Sequence, residues 1–190
     1  MTVTELALAT AFMKAEIRDG IGWMTFNNPE RRNAMKMEMN EAIVDILGAF
    51  QADDAVRVVV MQGAGDKAFV SGADISKFED ERASLEAVER YNATTAKVYT
   101  GVATYPKPTL AMIQGYCIGG GLNLAIACDL RFCSHGSRFG LPAAKLGLGY
   151  GYDGLKRFID TIGPSHTKDI FFSGRQFSAA EASSMGIINR

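Results

Sequence analysis

Two glycine-rich turns carry the chemistry that this sequence can support. One is Phe69-Val70-Ser71-Gly72-Ala73-Asp74-Ile75, and the other is Gly119-Gly120-Gly121-Leu122-Asn123. In the first, a small residue lies between Gly72 and Asp74, so the amide of Ala73 is open to a ligand. In the second, glycines precede a helical pattern, so unspent amides and the positive end of a helix dipole coincide at Gly120. Two amides aimed at one oxygen form an oxyanion hole, where removing a single donor costs about 10²–10³ in rate. Taken singly, each segment is explained as a tight turn.

Both turns need elements to hold them, and the hydrophobic pattern supplies these. Ala15–Arg18 and Ile21–Phe26 read as a hairpin turning at Asp19-Gly20. Met39, Ile43, Ile46, Leu47 and Phe50 share one helical face. Val56–Met61 is a β-branched run bounded by Asp53-Asp54 and Gly63, and Ala68–Val70 is a short strand leading into the first turn. The charge-rich stretch from Phe78 to Arg90 reads as exposed surface. Val88, Tyr91, Thr95, Val98, Val102 and Tyr105 recur at helical spacing, and Pro106 and Pro108 stop that helix. Thr109–Ile113 is a buried strand, the glycine triplet feeds a helix from about Leu122 to Cys128, and Leu130–Ser134 is strand-like. Ser178-Ala179-Ala180-Glu181 has capping-box spacing and opens a last helix that stops near Gly186. This order predicts one α/β domain over residues 1–190 with a largely buried sheet.

Composition narrows the partners. The chain has 190 residues, 47% hydrophobic and 22% charged, which suits a globular domain with a sizeable core. Lys and Arg number 20 against 21 Asp and Glu, so the net charge of −1 argues against nucleic acid or an anionic membrane as the main partner. Thr109–Cys128 has no charged residue and is long enough to span a bilayer, but Gln114, Asn123 and the glycine triplet break it into strand, turn and helix. The apolar run Leu6–Phe12 has no Lys or Arg before it and fits a signal peptide poorly, so a cytoplasmic protein is expected. Cys117, Cys128 and Cys133 lack C-x-x-C spacing and read as buried thiols in a reducing compartment. His135 and His166 have no metal-ligand spacing, so no metal is expected. Gly149-x-Gly151-x-x-Gly154 has the letters of a dinucleotide fingerprint, but no convincing strand precedes it.

Taken together and in order, these segments resemble the crotonase superfamily of enoyl-CoA hydratases and isomerases. The resemblance rests on Asn28-Pro29-Glu30-Arg31-Arg32-Asn33-Ala34, on Ala68 through Ile75, and on Pro106-Lys107-Pro108 through Gly119-Gly120-Gly121 to Cys128-Asp129. Phe139-Gly140-Leu141-Pro142 and Ala182 to Asn189 continue it. It implies the ClpP/crotonase fold of repeated ββα units, a homotrimer or hexamer, and an acyl-CoA substrate whose thioester carbonyl lies between the amides of Ala73 and Gly120. Coenzyme A would enter as part of the substrate, with no tightly bound cofactor, and would pass Ala73, Asp74, Ile75 and Ser76. Arg31 and Arg32 are candidates for its phosphates, and a solvated basic pair on a loop accounts for them equally well. The family also implies a helical trimerisation segment after the core. This sequence stops at Arg190, so the chain is either truncated or lacks that lid.

The departures are more telling than the match. Hydratases of this family carry one Glu two residues after the triplet and another just after Phe-Gly-x-Pro, and here those positions hold Asn123 and Ala143. General acid/base groups are worth about 10²–10⁴ each, and neither Asn nor Ala can act as one. Tyr150 and Asp153 lie where other family members place catalytic groups. Tyr150 is a candidate hydrogen-bond donor, and Asp153 a candidate base or nucleophile, or else the cap of a helix beginning near Leu155. Leu146–Tyr150 is similar to the methylmalonyl-CoA decarboxylase branch, and loss of CO₂ from a malonyl-type thioester yields an enolate with no base required. Asp74 and Asp129 read as structural, in a turn and at a helix end. The expected function is an acyl-CoA decarboxylase or C–C lyase working through a stabilised thioester enolate. The alternatives are a hydratase or isomerase with a relocated acid/base, and a catalytically silent acyl-CoA-binding protein. A Clp-type serine peptidase would need a nucleophilic Ser at the triplet, and none is there.

Overall fold

From the fourth strand to the ninth, successive strands alternate between two sheets. The protein is seen in a computed structural model that describes residues 3–74, 76 and 84–190. Strands β1 (Val3–Glu5), β2 (Met13–Arg18), β3 (Ile21–Phe26), β4 (Val58–Gly63), β6 (Thr109–Ile113) and β8 (Leu130–Cys133) form a six-stranded sheet in the order β1-β2-β3-β4-β6-β8. The β1-β2-β3 part is antiparallel, and β3 through β8 are parallel. Strands β5 (Ala68–Val70), β7 (Tyr116–Ile118), β9 (Arg138–Gly140) and β10 (Gln176–Ser178) form a second sheet in the order β10-β9-β7-β5. Helix α1 (Met37–Ala52) follows β3, α2 (Leu85–Ala103) follows the β4-β5 pair, and α3 (Gly120–Ala127) follows β6-β7. A 3-10 turn at Pro142–Leu146 and helix α4 (Tyr152–Ser173) follow β8-β9, and α5 (Ala179–Ser184) follows β10. These are the ββα units expected of the crotonase fold.

Local chemistry accounts for most of these boundaries. The β2-β3 hairpin turns at Asp19 and Gly20, both with positive φ (54° and 80°), as a two-residue hairpin requires. Helix α1 buries Met39, Ile43, Ile46, Leu47 and Phe50, the stripe read from its periodicity. Phe50 lies so close to Gly22 that a Cβ there would meet its ring at 2.7 Å. The Ser84 hydroxyl accepts from the Ala87 N–H to open α2. At Ser178 the capping box forms in full, with Glu181 N–H donating to Ser178 Oγ and Ser178 N–H donating to Glu181 Oε2.

Several boundaries differ from the pattern reading, among them β2, which starts at Met13 rather than Ala15. Helix α3 starts at Gly120 rather than Leu122, because Gly119 adopts φ 56° and serves as its N-cap. Strand β4 starts at Val58, because Val56 is held in a turn by its N–H donating to Asp53 O. Helix α4 starts at Tyr152 with Gly151 as N-cap, and it is broken at Gly163 (φ 73°) before Pro164. Tyr105 falls beyond α2, and its hydroxyl donates to Leu47 O at 2.9 Å. Strands β7, β9 and β10 have three residues each, too few to display a period of two. The early part of the charge-rich stretch, 78–83, lies outside the described residues. Cys117 and Cys128 are buried free thiols, and Cys133 is half-buried. Among the described residues no helix is long and apolar enough to cross a membrane.

Candidate active site

Asn33 anchors the first turn, and sequence reasoning passed over it. It is fully buried at φ 54°. Its Nδ2 donates to Ala64 O (3.0 Å) and Ala68 O (2.7 Å), while its Oδ1 accepts from Asn28 N–H (2.9 Å). Asn28 Nδ2 in turn donates to Ala34 O. These bonds tie the Asn28–Ala34 loop to the start of β5. Asn33→Ala would strand two buried backbone groups, Asn28 N–H and Ala68 O, and the half-buried Ala64 O, a buried one being worth about 1–3 kcal/mol when unpaired. The expected loss is about 3 kcal/mol, read as a lowered urea midpoint at unchanged slope. An unchanged midpoint would mean that the loop is not coupled to β5.

Beyond β5 the chain bends at Gly72 (φ 111°) and forms a parallel bridge between Ala73 and Met35. Met35 N–H donates to Gly72 O and Asp74 N–H donates to Met35 O, both at 2.8 Å. In such a bridge the neighbours of Ala73 face Met35, so the N–H of Ala73 itself points the other way. The second turn lies directly alongside. Gly119 N–H donates to Gly140 O (2.8 Å), which leaves Gly120 as the first residue of α3. A Cβ on Gly119 would lie 3.7 Å from Gly72 Cα. Thus the structure brings the Gly72–Ala73 and Gly119–Gly120 turns into contact. Gly121 packs so tightly on β5 that a Cβ would overlap the Val70 carbonyl oxygen.

Around Gly120 lies a set of polar side chains from three further places in the chain. Tyr99 reaches in from α2, with its hydroxyl 3.0 Å from where a Gly120 Cβ would sit. Asn123, on α3 and only 5% exposed, has its side chain beside the Tyr99 hydroxyl, where it favours the ionised oxygen. Its Oδ1 is buried and has no partner among the described residues. A Cβ on Gly154 would meet Tyr150 Cδ1 at 3.3 Å and Asn123 Oδ1 at 4.0 Å, so α4 begins against the same spot. The Arg157 guanidinium carbon is 5.9 Å from the centre of the Tyr99 ring, and Arg157 Nε is also buried and unpartnered among the described residues. Tyr150 packs edge-on to Phe171 at 5.0 Å.

The predicted site residues divide accordingly. Ala73, Gly120 and Tyr150 fall in this neighbourhood. Asp153 is exposed in the first turn of α4, and it is not the cap that the alternative reading made of it, because Gly151 holds that position. Its charge bears on Arg157, four residues on. Ala143 is buried in the 3-10 turn. The Asp74 carboxylate is held below its usual range chiefly by the Ser76 hydroxyl, which donates to Oδ1 at 2.7 Å, and more weakly by the charges of Lys36 and Arg31. Asp74 thus belongs to a turn, as read from the sequence. Asp129 ties the end of α3 to β6 by accepting from Thr109 N–H and Oγ1–H. The two arginines part company. Arg31 lies within electrostatic reach of Asp74, while the guanidinium of Arg32 stacks 5.1 Å from the Tyr116 ring and lines a cleft of about 240 Å³ with Glu30, Asp66 and Lys67. Ile75 lies outside the described residues. Tyr99 escaped notice although Tyr91, Thr95 and Tyr99 recur every four residues, a polar row beside the apolar stripe of α2.

Burial keeps the protons of these groups in place. The Tyr150 hydroxyl is pushed up to about 12 from 10.0, and the Cys128 thiol to about 12 from 9.0. Groups raised on folding stabilise fully below their unfolded values, and that contribution is lost as pH climbs through the folded ones. Stability should therefore fall from about pH 9 to pH 12, with Tyr150 contributing about 2 kcal/mol of the loss. Urea midpoints measured beside tyrosinate absorbance check this, and a flat profile over that window would refute it.

Comparison with known proteins places the chain in a family. The sequence profile of the enoyl-CoA hydratase/isomerase family matches residues 16–190. A hydroxycinnamoyl-CoA hydratase-lyase of Pseudomonas fluorescens is 34% identical over 180 residues, 93% of this chain and 65% of that protein. A crotonyl-CoA hydratase of Syntrophomonas wolfei is 32% identical over 175 residues, 92% of this chain and 66% of its own length. Among solved structures, an enoyl-CoA hydratase/carnithine racemase from Magnetospirillum magneticum superposes with a TM-score of 0.91 at 33% identity, covering 96% of this chain and 68% of that one. The chain spans about two thirds of the length of the curated relatives it matches. By profile, identity and fold together, the chain belongs to the enoyl-CoA hydratase/isomerase family.

Proposed function

We propose that this protein binds an acyl-CoA thioester with the carbonyl oxygen between the amides of Ala73 and Gly120, and stabilises the enolate formed there. The observation that carries this reading is the contact between the two glycine turns, with a Gly119 Cβ position only 3.7 Å from Gly72 Cα. The outward-facing N–H of Ala73 and the helix-start N–H of Gly120 support a common target. Coenzyme A would run past Ala73, Asp74, Ile75 and Ser76, with Arg31 the better placed of the two arginines to meet a phosphate, since Arg32 is engaged with Tyr116.

Within this reading, decarboxylation or C–C cleavage is favoured. In loss of CO₂ the bond from Cα to the carboxylate carbon breaks, its electron pair becomes the enolate, and a proton then returns to Cα. No base is needed to start, which suits a site with Asn123 and Ala143 in place of two glutamates. A hydratase or isomerase with a relocated acid/base is the second reading, supported by the relatives named above. Exposed apolar side chains on and beside α4, including Leu146, Ile159 and Phe172, support assembly into a homotrimer or hexamer, which sedimentation would establish. Calorimetry with CoA, acetyl-CoA and malonyl-CoA tests the central proposal, with CO₂ release followed for the last. Absence of heat and of any thermal shift with all three would overturn it, and binding of malonyl-CoA without CO₂ release would remove the decarboxylase reading alone.

A further inference from the structure

We infer that Tyr99 is the acid that returns the proton to the enolate carbon, with Asn123 and Arg157 holding the phenolate it leaves behind; this rests on the enolate reading above. Position comes first. The Tyr99 hydroxyl lies 3.0 Å from the Cβ position of Gly120, beside the amide assigned to the thioester oxygen. A hydroxyl there flanks the atom next to the thioester carbon. Tyr150 is less well placed, because its ring edge is packed against Gly154 and Phe171.

The partners of Tyr99 suit proton transfer. From α3 the Asn123 side chain lies beside its oxygen, and from α4 the positive charge of Arg157 faces it, and both favour the phenolate. From α2 and from the loop before α4, Tyr91 and Tyr150 face it and oppose ionisation. Burial keeps the resting phenol protonated, so the donor is loaded before substrate arrives. The unpartnered Oδ1 of Asn123, at 5% exposure, marks a point where a ligand atom completes the network. The atoms balance. As CO₂ leaves, the electron pair of the broken bond forms the enolate. The enolate C=C pair then takes the Tyr99 proton to make the Cα–H bond, and the phenolate regains a proton from solvent water.

The test uses methylmalonyl-CoA in D₂O, with the product propionyl-CoA examined by NMR. The wild-type protein should place one deuterium at C2 in a single configuration. Tyr99→Phe should form propionyl-CoA more slowly and in both configurations equally, because solvent then protonates the enolate from either face. Retained single configuration in Tyr99→Phe overturns the inference while leaving the decarboxylase reading intact. Binding without CO₂ release overturns both that reading and the inference, and absence of thioester binding overturns the whole site. Should Tyr99→Phe fail to fold, Arg157→Gln must lower configurational purity at unchanged thioester affinity, and unchanged purity overturns the inference.

Discussion

Crotonyl-CoA mixed with this protein should gain water about 10⁴-fold more slowly than with a family member that carries both glutamates. Hydration needs one group to take a proton from water and another to give one to carbon. Each is typically worth about 10²–10⁴. At the positions that the family resemblance assigns to these two groups stand Asn123, which is 5% exposed, and Ala143, which is 6% exposed. The nearby phenols do not substitute for a carboxylate base. With the Tyr150 hydroxyl pushed up to about 12, only about one molecule in 10⁵ carries a phenolate there at neutral pH. Asp153 is ionisable but exposed in the first turn of α4, where its charge acts on Arg157. Loss of the conjugated enoyl absorbance measures the rate. Turnover at ordinary enzyme speed would show that Asp153 or another group has taken over the proton transfers, and the relocated-acid/base reading would then replace the decarboxylase one.

Gly121→Ala should abolish thioester binding and destabilise the fold by about 3 kcal/mol. The new methyl would overlap the Val70 carbonyl oxygen and lie 2.7 Å from Val70 Cβ. Neither atom can yield cheaply, since Val70 is fully buried in β5 and its backbone belongs to the strand that ends at the first turn. Relief comes only if α3 lifts from β5. That movement separates Gly119 from Gly72 and pulls the Gly120 amide away from Ala73. Stability and binding should therefore fall together, by urea titration and by calorimetry. Gly48→Ala is the matched control. Gly48 is an exposed residue of α1 with nothing within 4 Å of its Cβ position, so the change should add about 0.5–1 kcal/mol through helix propensity and leave binding unaltered. Retained thioester affinity in Gly121→Ala would show that the two turns do not depend on the α3–β5 contact.

Much of the fold could be read from local pattern, because local chemistry determines it. The Asp19-Gly20 hairpin needs two positive φ angles, the α1 stripe repeats every three to four residues, and Ser178 and Glu181 close a box within one turn. The two glycine turns were legible for the same reason, since each breaks an apolar run with glycine. Strands β7, β9 and β10 of the second sheet were not, because so short a segment has no measurable period and is stabilised by its neighbours instead.

The sequence by itself determined the family and the two glycine turns, since each depends only on which residues stand at which spacing along one stretch of chain. Only the tertiary structure decided that Tyr99 of α2, Asn123 of α3 and Arg157 of α4 meet beside Gly120, and that Arg31 and Arg32 face different neighbours. Side chains on separate helices are brought together by how the helices pack on the sheets, and no periodicity within any one helix encodes that meeting.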